Sequence, residues 1–418
     1  MKPNVIFIVV DCLRSDVLHS KDRTTVTPNI DKLKKQSIFF KNTISVSTST
    51  LPCFGSIVTG LYPFNHGLRD LMQLKIKEEV STIGEIFKEK GYNTYASVTG
   101  SLFPAHGFSR GFDEYEQREL WDNLHNDWYE KLLDKFRNGY FKEPFLYFFH
   151  IWDLHQPRFV DGDMDKPEYG RTLYERSVSS IDRKLGTLLD MNKDAVIVLT
   201  GDHGEKITSG LFEELMDRAK CFYYPHVRWS HKKHHRRLSK IFRGTLNMLQ
   251  GSESEFGATH GYNLYRSLIT TPLIVKGFSS TSREEDKLVR HVDILPSLSY
   301  GLFENRIRSD GKPIFNQNDE LPKDAYSEIF LGDELKEENW LVSLTTNKYQ
   351  YIFKPRGDLE TLYNRDEREI EDDKIKKFLN QRVVDINTEI RDGCKLDSRV
   401  NLEREIIENK LRSVGYLD

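Results

Sequence analysis

Cysteine is scarce in this 418-residue chain: Cys12, Cys53, Cys221 and Cys394 are scattered, with no paired spacing. A disulfide framework and a zinc knuckle are both excluded as organising devices, and a reducing compartment is the expectation. Net charge is scarce too, since 64 Asp plus Glu against 61 Lys plus Arg leaves −3. That balance argues against a bulk nucleic-acid binder and against an acidic disordered tail. Only 14 prolines and 26 glycines occur, with 38% hydrophobic residues, so low-complexity disorder and collagen-like repetition are excluded. Apolar runs of the roughly 18–20 residues needed to span a bilayer are lacking. The first apolar run, VIFIVV, leads into Asp11, Arg14 and Asp16 rather than a small-residue cleavage site. It therefore predicts a buried strand rather than a signal peptide, and a cytoplasmic protein is expected.

What is present is a repeated strand–helix alternation. Near-continuous apolar runs at Val5 to Val10, Thr94 to Val98, Phe145 to Ile151, Ala195 to Thr200 and Pro272 to Val275 suit strands of a sheet covered on both faces. Helical periodicity between them is clearest at Thr82 to Lys90 and Tyr174 to Leu189. The expectation is an α/β fold with a doubly wound, mostly parallel sheet over residues 1–320. From residue 321 the pattern turns to hairpins (WLVSLTTNKYQYIFKP, DLETLYNRD) and then a charged helical tail. A smaller α+β carboxyl-terminal subdomain over 321–418 is therefore predicted.

Open α/β sheets collect ligands beyond the carboxyl ends of their strands. Here the first strand ends in Asp11, the Phe145 strand runs into His150, Asp153 and His155, and the Ala195 strand ends in Asp202, His203 and Glu205. Two hard oxygens and an imidazole (Asp11, Asp202, His203) suit Mn²⁺, Mg²⁺, Ca²⁺ or Zn²⁺. In STSTLPCFGSIVTGLYPFNHG, Pro52 falls in the first turn of a predicted helix, so Thr50 lies at a helix amino terminus, where backbone amides favour an anion. A hydroxyl, a metal and extra histidines together suit esters of tetrahedral anions. Asp16, His66, Asp293 and Tyr363 are read as structural. Between about 206 and 258 lies a basic insertion whose stretch Arg228–Arg243 has seven Lys or Arg, three His and no acid. Its helical apolar spacing offers either a stripe packed on the main domain or a contact for an anionic polymer or membrane surface.

These segments, in order, resemble the sulfatase branch of the alkaline phosphatase superfamily. The resemblance runs through NVIFIVVDCLRSD, TPNIDKLKKQSIFFKN, the Thr50 segment, TIGEIFKEKGYNTYASV, GFSRGFDEY, PFLYFFHIWDLHQP, AVIVLTGDHGE, THGYNLYRSLITTPLIV, VRHVDILPSL and ETLYNRDERE. It implies metal ligation by Asp11, Asp202, His203 and Thr50, with Thr50 as nucleophile and His155 and His260 holding the transferring group or leaving oxygen. His150 and Asp153 lie around the same turn as further substrate contacts. Formylglycine-forming members carry Cys or Ser in Cys/Ser-x-Pro-x-Arg, whereas here Thr50 stands first, Pro52 agrees and Phe54 replaces the arginine. Threonine there is similar to nucleotide pyrophosphatase/phosphodiesterases, phosphoethanolamine transferases and lipoteichoic-acid synthases. The resemblance thus implies a metal-dependent hydrolase of a phosphoric or sulfuric ester, phosphodiester or phosphonate favoured, with one metal site and a second open. A phospho-group transferase on a lipid-linked glycan and a non-catalytic polyanion binder stand as rivals.

Overall fold

The computed structural model describes residues 2–69, 75–207, 260–279, 282–315, 321–331, 339–355, 359–379 and 381–382. The basic stretch Arg228–Arg243, most of the 206–258 insertion and the tail from 383 onward lie outside the described residues.

Eight strands form the main sheet: β1 (Val5–Val10), β2 (Ser37–Ile44), β3 (Asn93–Val98), β4 (Glu114–Gln117), β5 (Phe145–Ile151), β6 (Val196–Gly201), β7 (Thr270–Lys276) and β8 (Arg283–Arg290), in the order β4-β3-β5-β1-β6-β7-β2-β8. The pairs β1/β5, β1/β6, β3/β5, β3/β4 and β2/β8 are parallel, while β7 runs antiparallel to both β6 and β2. The described helices up to β6 are α1 (Asp16–His19), α2 (Pro28–Lys34), α3 (Thr50–Thr59), α4 (Pro63–His66), α5 (Ile83–Glu89), α6 (Asp127–Arg137) and α7 (Leu173–Met191).

Strand β1 shows why both faces are covered. Val5, Phe7 and Val9 pack with Leu51, Phe54 and Ile57 of α3 and Ile83, Ile86 and Phe87 of α5. Ile6, Ile8 and Val10 pack on the other face with α2, α6 and α7, through residues such as Leu33, Leu132, Val178 and Leu185. Each such large side chain withdrawn from water contributes about 1.5–3 kcal/mol, which is why a strand without polar alternation is stable only between two helical layers.

A second sheet, β9 (Asp324–Phe330), β10 (Trp340–Thr346), β11 (Tyr349–Phe353) and β12 (Glu360–Asn364), is antiparallel in the order β12-β11-β10-β9. It packs Tyr326, Val342, Tyr351 and Phe353 against Val46, Cys53, Tyr62 and Phe64. Ser327 Oγ donates to the Ser45 carbonyl at 2.6 Å and the Glu328 amide donates to the Val46 carbonyl at 2.8 Å. The chain leading into α3 is therefore braced by the carboxyl-terminal sheet.

Candidate active site

Register brings the candidate ligands together. Val10 of β1 pairs with Ile151 of β5 on one side and Gly201 of β6 on the other, so Asp11 and Asp202 follow directly from adjacent strand ends. Because β2 and β7 are antiparallel, Ile44, at the exit of β2, pairs with Thr270, at the start of β7. The chain toward Thr50 and the segment from His260 thus reach the same edge of the sheet.

Asp11, Asp202 and His203 are fully buried, and one ligand atom from each lies within 4.8 Å of the others. Asp202 Oδ1 accepts from the Cys12 amide at 3.0 Å and the His203 amide at 2.8 Å, but Asp202 Oδ2 has no hydrogen-bond partner. His203 Nδ1 donates to the Gly204 carbonyl at 2.8 Å, so its lone pair is on Nε2, which likewise makes no hydrogen bond and faces Asp202 Oδ2 at 3.5 Å. Leaving such buried atoms unsatisfied costs about 1–3 kcal/mol each, and a bound dication removes that cost. Burial and the Asp11 charge push the Asp202 carboxyl up to about 6, the signature of two carboxylates crowded without a counter-ion. Burial acts on Asp11 too, yet the hydrogen bond from His150, with the neighbouring imidazoles of His155 and His203, holds it below the ordinary carboxylate range. The residues present fit a divalent metal.

Thr50 opens α3, preceded by Ser49 in extended conformation and with no side-chain cap on the helix amides. The Thr50 side chain is buried, with Oγ1 3.5 Å from Asp11 Oδ2. Gly55 is required one turn on, because a Cβ there would stand 2.4 Å from His66 Cε1. His66 accepts from the Leu68 amide on Nδ1 at 3.1 Å and contacts Ser56 Oγ through Nε2 at 3.1 Å, so it is a neutral packing residue beneath α3. Phe54, at the position of the family arginine, turns into the core, where its ring meets His150 edge-on at 4.7 Å.

His150 holds Asp11. Its Nδ1 accepts from the Thr99 amide at 3.4 Å, which leaves Nε2 to donate to Asp11 Oδ2 at 3.3 Å. The Arg118 guanidinium donates to the His150 carbonyl. His155 lies on Trp152, ring centroids 3.9 Å apart, and donates from Nδ1 to the Gln156 carbonyl. His260 is 5.1 Å from the His155 ring and 4.6 Å from the His203 ring, which brings three of the expected histidines into one group. Asp153 goes elsewhere: Oδ1 accepts from the Leu124 amide at 2.9 Å and faces His125 Nε2 at 3.5 Å. The turn after β5 sends it to the α6 side.

Two neighbours were not singled out as site residues from the sequence. Glu205 Oε1 lies 3.3 Å from His260 Nδ1, and Arg158 pairs with Glu205 Oε2 at 3.3 Å. Burial lowers His260, but Glu205 outweighs it and the net direction is upward, whereas burial pushes His155 down to about 4. Cys12, with φ +61°, donates Sγ–H to Asp11 Oδ1 at 2.9 Å and lies 3.8 Å from His260 Nδ1. Glu205 could have been found from its place in TGDHGE; nothing in the sequence marks Arg158.

The fold is similar to that of a phosphonate monoester hydrolase of Agrobacterium radiobacter, with a TM-score of 0.67 over 93% of this chain and 95% of that one at 14% identity. A 2-O GAG sulfatase is matched at a TM-score of 0.66 over 99% and 96%, also at 14% identity. By sequence, an ulvan-active sulfatase of Formosa agariphila is 37% identical over 22% of this chain, and human iduronate 2-sulfatase 34% identical over 24%. Each of these two alignments spans 18% of the relative's own length. The sulfatase family model matches residues 3–300, taking in Asp11, Thr50, His155, Asp202, His203 and His260. By that match, laid over the site just described, the chain belongs to the sulfatase family.

Proposed function

We propose that the protein is a metal-dependent hydrolase of a phosphoric or sulfuric ester, with a phosphodiester or phosphonate monoester favoured, and that Thr50 is its nucleophile. The observation carrying this reading is the buried Thr50 hydroxyl at the start of α3, 3.5 Å from Asp11, which is grouped with an Asp202 Oδ2 and a His203 Nε2 that make no hydrogen bond. A divalent ion held by Asp11, Asp202, His203 and Thr50 would supply positive charge to the ester's non-bridging oxygens and lower the pKa of the Thr50 hydroxyl.

The remaining chemistry belongs to side chains. Thr50 Oγ1, its proton lost to solvent, attacks phosphorus in line, forming a threonine phosphoester while the ester oxygen leaves. The α3 amides face the developing equatorial charge. Glu205 shifts His260 toward its protonated form, which suits it to protonate the leaving oxygen. His155, held neutral by burial, presents Nε2 as base for the water that releases Thr50. Environments that push the two histidines in opposite directions support these roles.

Phosphorus is favoured over sulfur because a threonine phosphoester is hydrolysed by attack at phosphorus. A threonine sulfate lacks the hemiacetal elimination open to formylglycine. The sulfatase relatives named above favour a second reading, a sulfate ester on an anionic glycan. Bis(p-nitrophenyl) phosphate, a p-nitrophenyl phosphonate and p-nitrophenyl sulfate, assayed with Mn²⁺, Ca²⁺, Mg²⁺ or Zn²⁺, separate the two. Turnover of the phosphorus esters that falls at least about 10³-fold in Thr50→Ala is expected. Unchanged turnover in Thr50→Ala removes the nucleophile assignment. Binding without turnover of any of the three favours a polyanion-binding role, and product formed only with an acceptor alcohol favours a transferase.

A further inference from the structure

A hydroxyl-and-carboxylate site for a hard dication explains Asp11 and Asp202 but not Cys12. A cysteine between Asp11 and Leu13 is costly, because its backbone is in the left-handed region at φ +61°, where side chains other than glycine are uncommon. That conformation is held on both sides. The Cys12 amide donates to Asp202 Oδ1 at 3.0 Å, and the Cys12 carbonyl accepts from the Tyr174 hydroxyl at 2.7 Å. The result is a fully buried thiol whose Sγ donates to Asp11 Oδ1 at 2.9 Å and lies 3.8 Å from His260 Nδ1.

We infer that Cys12, His203 and His260 form a soft-metal site for a dication such as Cd²⁺, overlapping the oxygen-rich site so that the two cannot be filled together. One ligand atom from each of the three residues lies within 4.8 Å of the others. Cys12 Sγ and His260 Nδ1 are 3.8 Å apart. Two ligands of one tetrahedral zinc, at about 2.3 Å for sulfur and 2.0–2.1 Å for nitrogen, stand about 3.6 Å apart, so this pair is already close to ligand spacing. A ligand is also indicated by His203 Nε2, completely buried, without a hydrogen-bond partner and 3.5 Å from Asp202 Oδ2, its tautomer set by the Gly204 carbonyl. One thiolate and two imidazoles select a softer ion than two carboxylates and one imidazole.

Exclusion follows from His203. Its single lone pair on Nε2 serves either the Asp11–Asp202 side or the Cys12–His260 side. Loading forms one sulfur–metal bond and two nitrogen–metal bonds. The Cys12 S–H that donates to Asp11 Oδ1 breaks and its proton leaves to solvent. So does the proton on His260 Nδ1 that faces Glu205, and no atom changes oxidation state. With His260 bound to the ion, the group proposed above to protonate the leaving oxygen is withdrawn. A soft ion is therefore an inhibitor of the reaction proposed above, and this consequence rests on that reading while the site itself does not.

The test titrates Cd²⁺ into the full chain loaded with Mn²⁺, following bound Mn²⁺ by electron paramagnetic resonance and thiolate-to-metal charge transfer by ultraviolet absorption. One Mn²⁺ released per Cd²⁺ taken up, in step with growth of the absorption, is expected. In Cys12→Ser the absorption is lost and Cd²⁺ binds at least about tenfold more weakly, with Mn²⁺ still bound. Cd²⁺ uptake without the absorption, an undiminished absorption in Cys12→Ser, or simultaneous binding of both ions overturns the inference. Cadmium NMR of the unmutated chain decides it even where Cys12→Ser does not fold, since a shift typical of oxygen and nitrogen ligands alone is incompatible with Cys12 ligation. If Mn²⁺ does not bind at all, it is the oxygen-rich site that fails, and the Cd²⁺ absorption still tests the soft one.

Discussion

Glu205 and Asp153 are both buried acids close in sequence to proposed site residues, yet their partners give them different work. Glu205 faces His260 with one oxygen and Arg158 with the other, so it orients the imidazole and raises its affinity for a proton. Glu205→Gln keeps the shape and removes the charge. The expected result is kcat lowered about 10–100-fold with KM little changed, and the alkaline limb of the pH–rate profile moved to lower pH. An equal fall in variants of remote buried acids would reduce Glu205 to a packing role. Asp153 is read differently, because its hydrogen bond goes to the Leu124 amide and its neighbour is His125. Asp153→Asn is expected to cost stability rather than to remove the chemical step, read as a lower urea midpoint with kcat per folded molecule within a few-fold of the parent. At this scale Asp11, Asp202 and His203 are legible because strand-end acids and imidazoles have a known place in such sheets. The direction of Asp153 is not, because it depends on the conformation of the turn after β5.

The element that carries most of the proposal is α3. Its ten residues are all buried, between the sheet on one side and the carboxyl-terminal sheet on the other, so its position is set by packing and not by propensity. Gly55→Ala is expected to destabilise the protein by about 1–3 kcal/mol, because the added methyl meets the His66 ring and the ring has no room to retreat from Ser56 and the Leu68 amide. Denaturant titration reads this as a lower midpoint at unchanged slope, and an unchanged midpoint would show that the ring moves freely. Helix α7 gives a contrasting case. Thr172 and Glu175 form a reciprocal capping box, and Thr172→Ala should cost about 1 kcal/mol without altering turnover. Pro52 and the apolar run after it made α3 legible in the sequence. The antiparallel course of β7 was not legible, since a continuous apolar run reads the same in either direction.

For the whole molecule, acid sensitivity follows from its buried neutral histidines. Burial pushes His66 and His291 down to about 3 from an ordinary 6.5. Between those values the unfolded chain binds protons that the folded chain refuses. These two residues therefore contribute stability that is fully present above about pH 6.5 and is lost progressively as pH falls toward 3. Urea midpoints measured across that range should fall with acidification, and His66→Gln should flatten the slope. Metal acts in the opposite sense. A dication that binds the folded chain alone at a hundred times its dissociation constant adds about 2.7 kcal/mol, so chelation should lower Tm in the parent and leave it nearly unmoved in Asp202→Asn. By itself the sequence determined the covered sheet and the hairpins near the carboxyl terminus and marked Asp11, Thr50, Asp202 and His203 as candidates, because apolar periodicity and strand-end chemistry are local properties. Only the tertiary structure decided which atoms face one another. The β5-β1-β6 register set Asp11 beside Asp202, and the hydrogen bonds of Thr99 and Gly204 fixed the tautomers of His150 and His203. The left-handed turn at residue 12 brought a thiol to the edge of the group. Those facts depend on contacts between residues far apart in the chain, which no local pattern encodes.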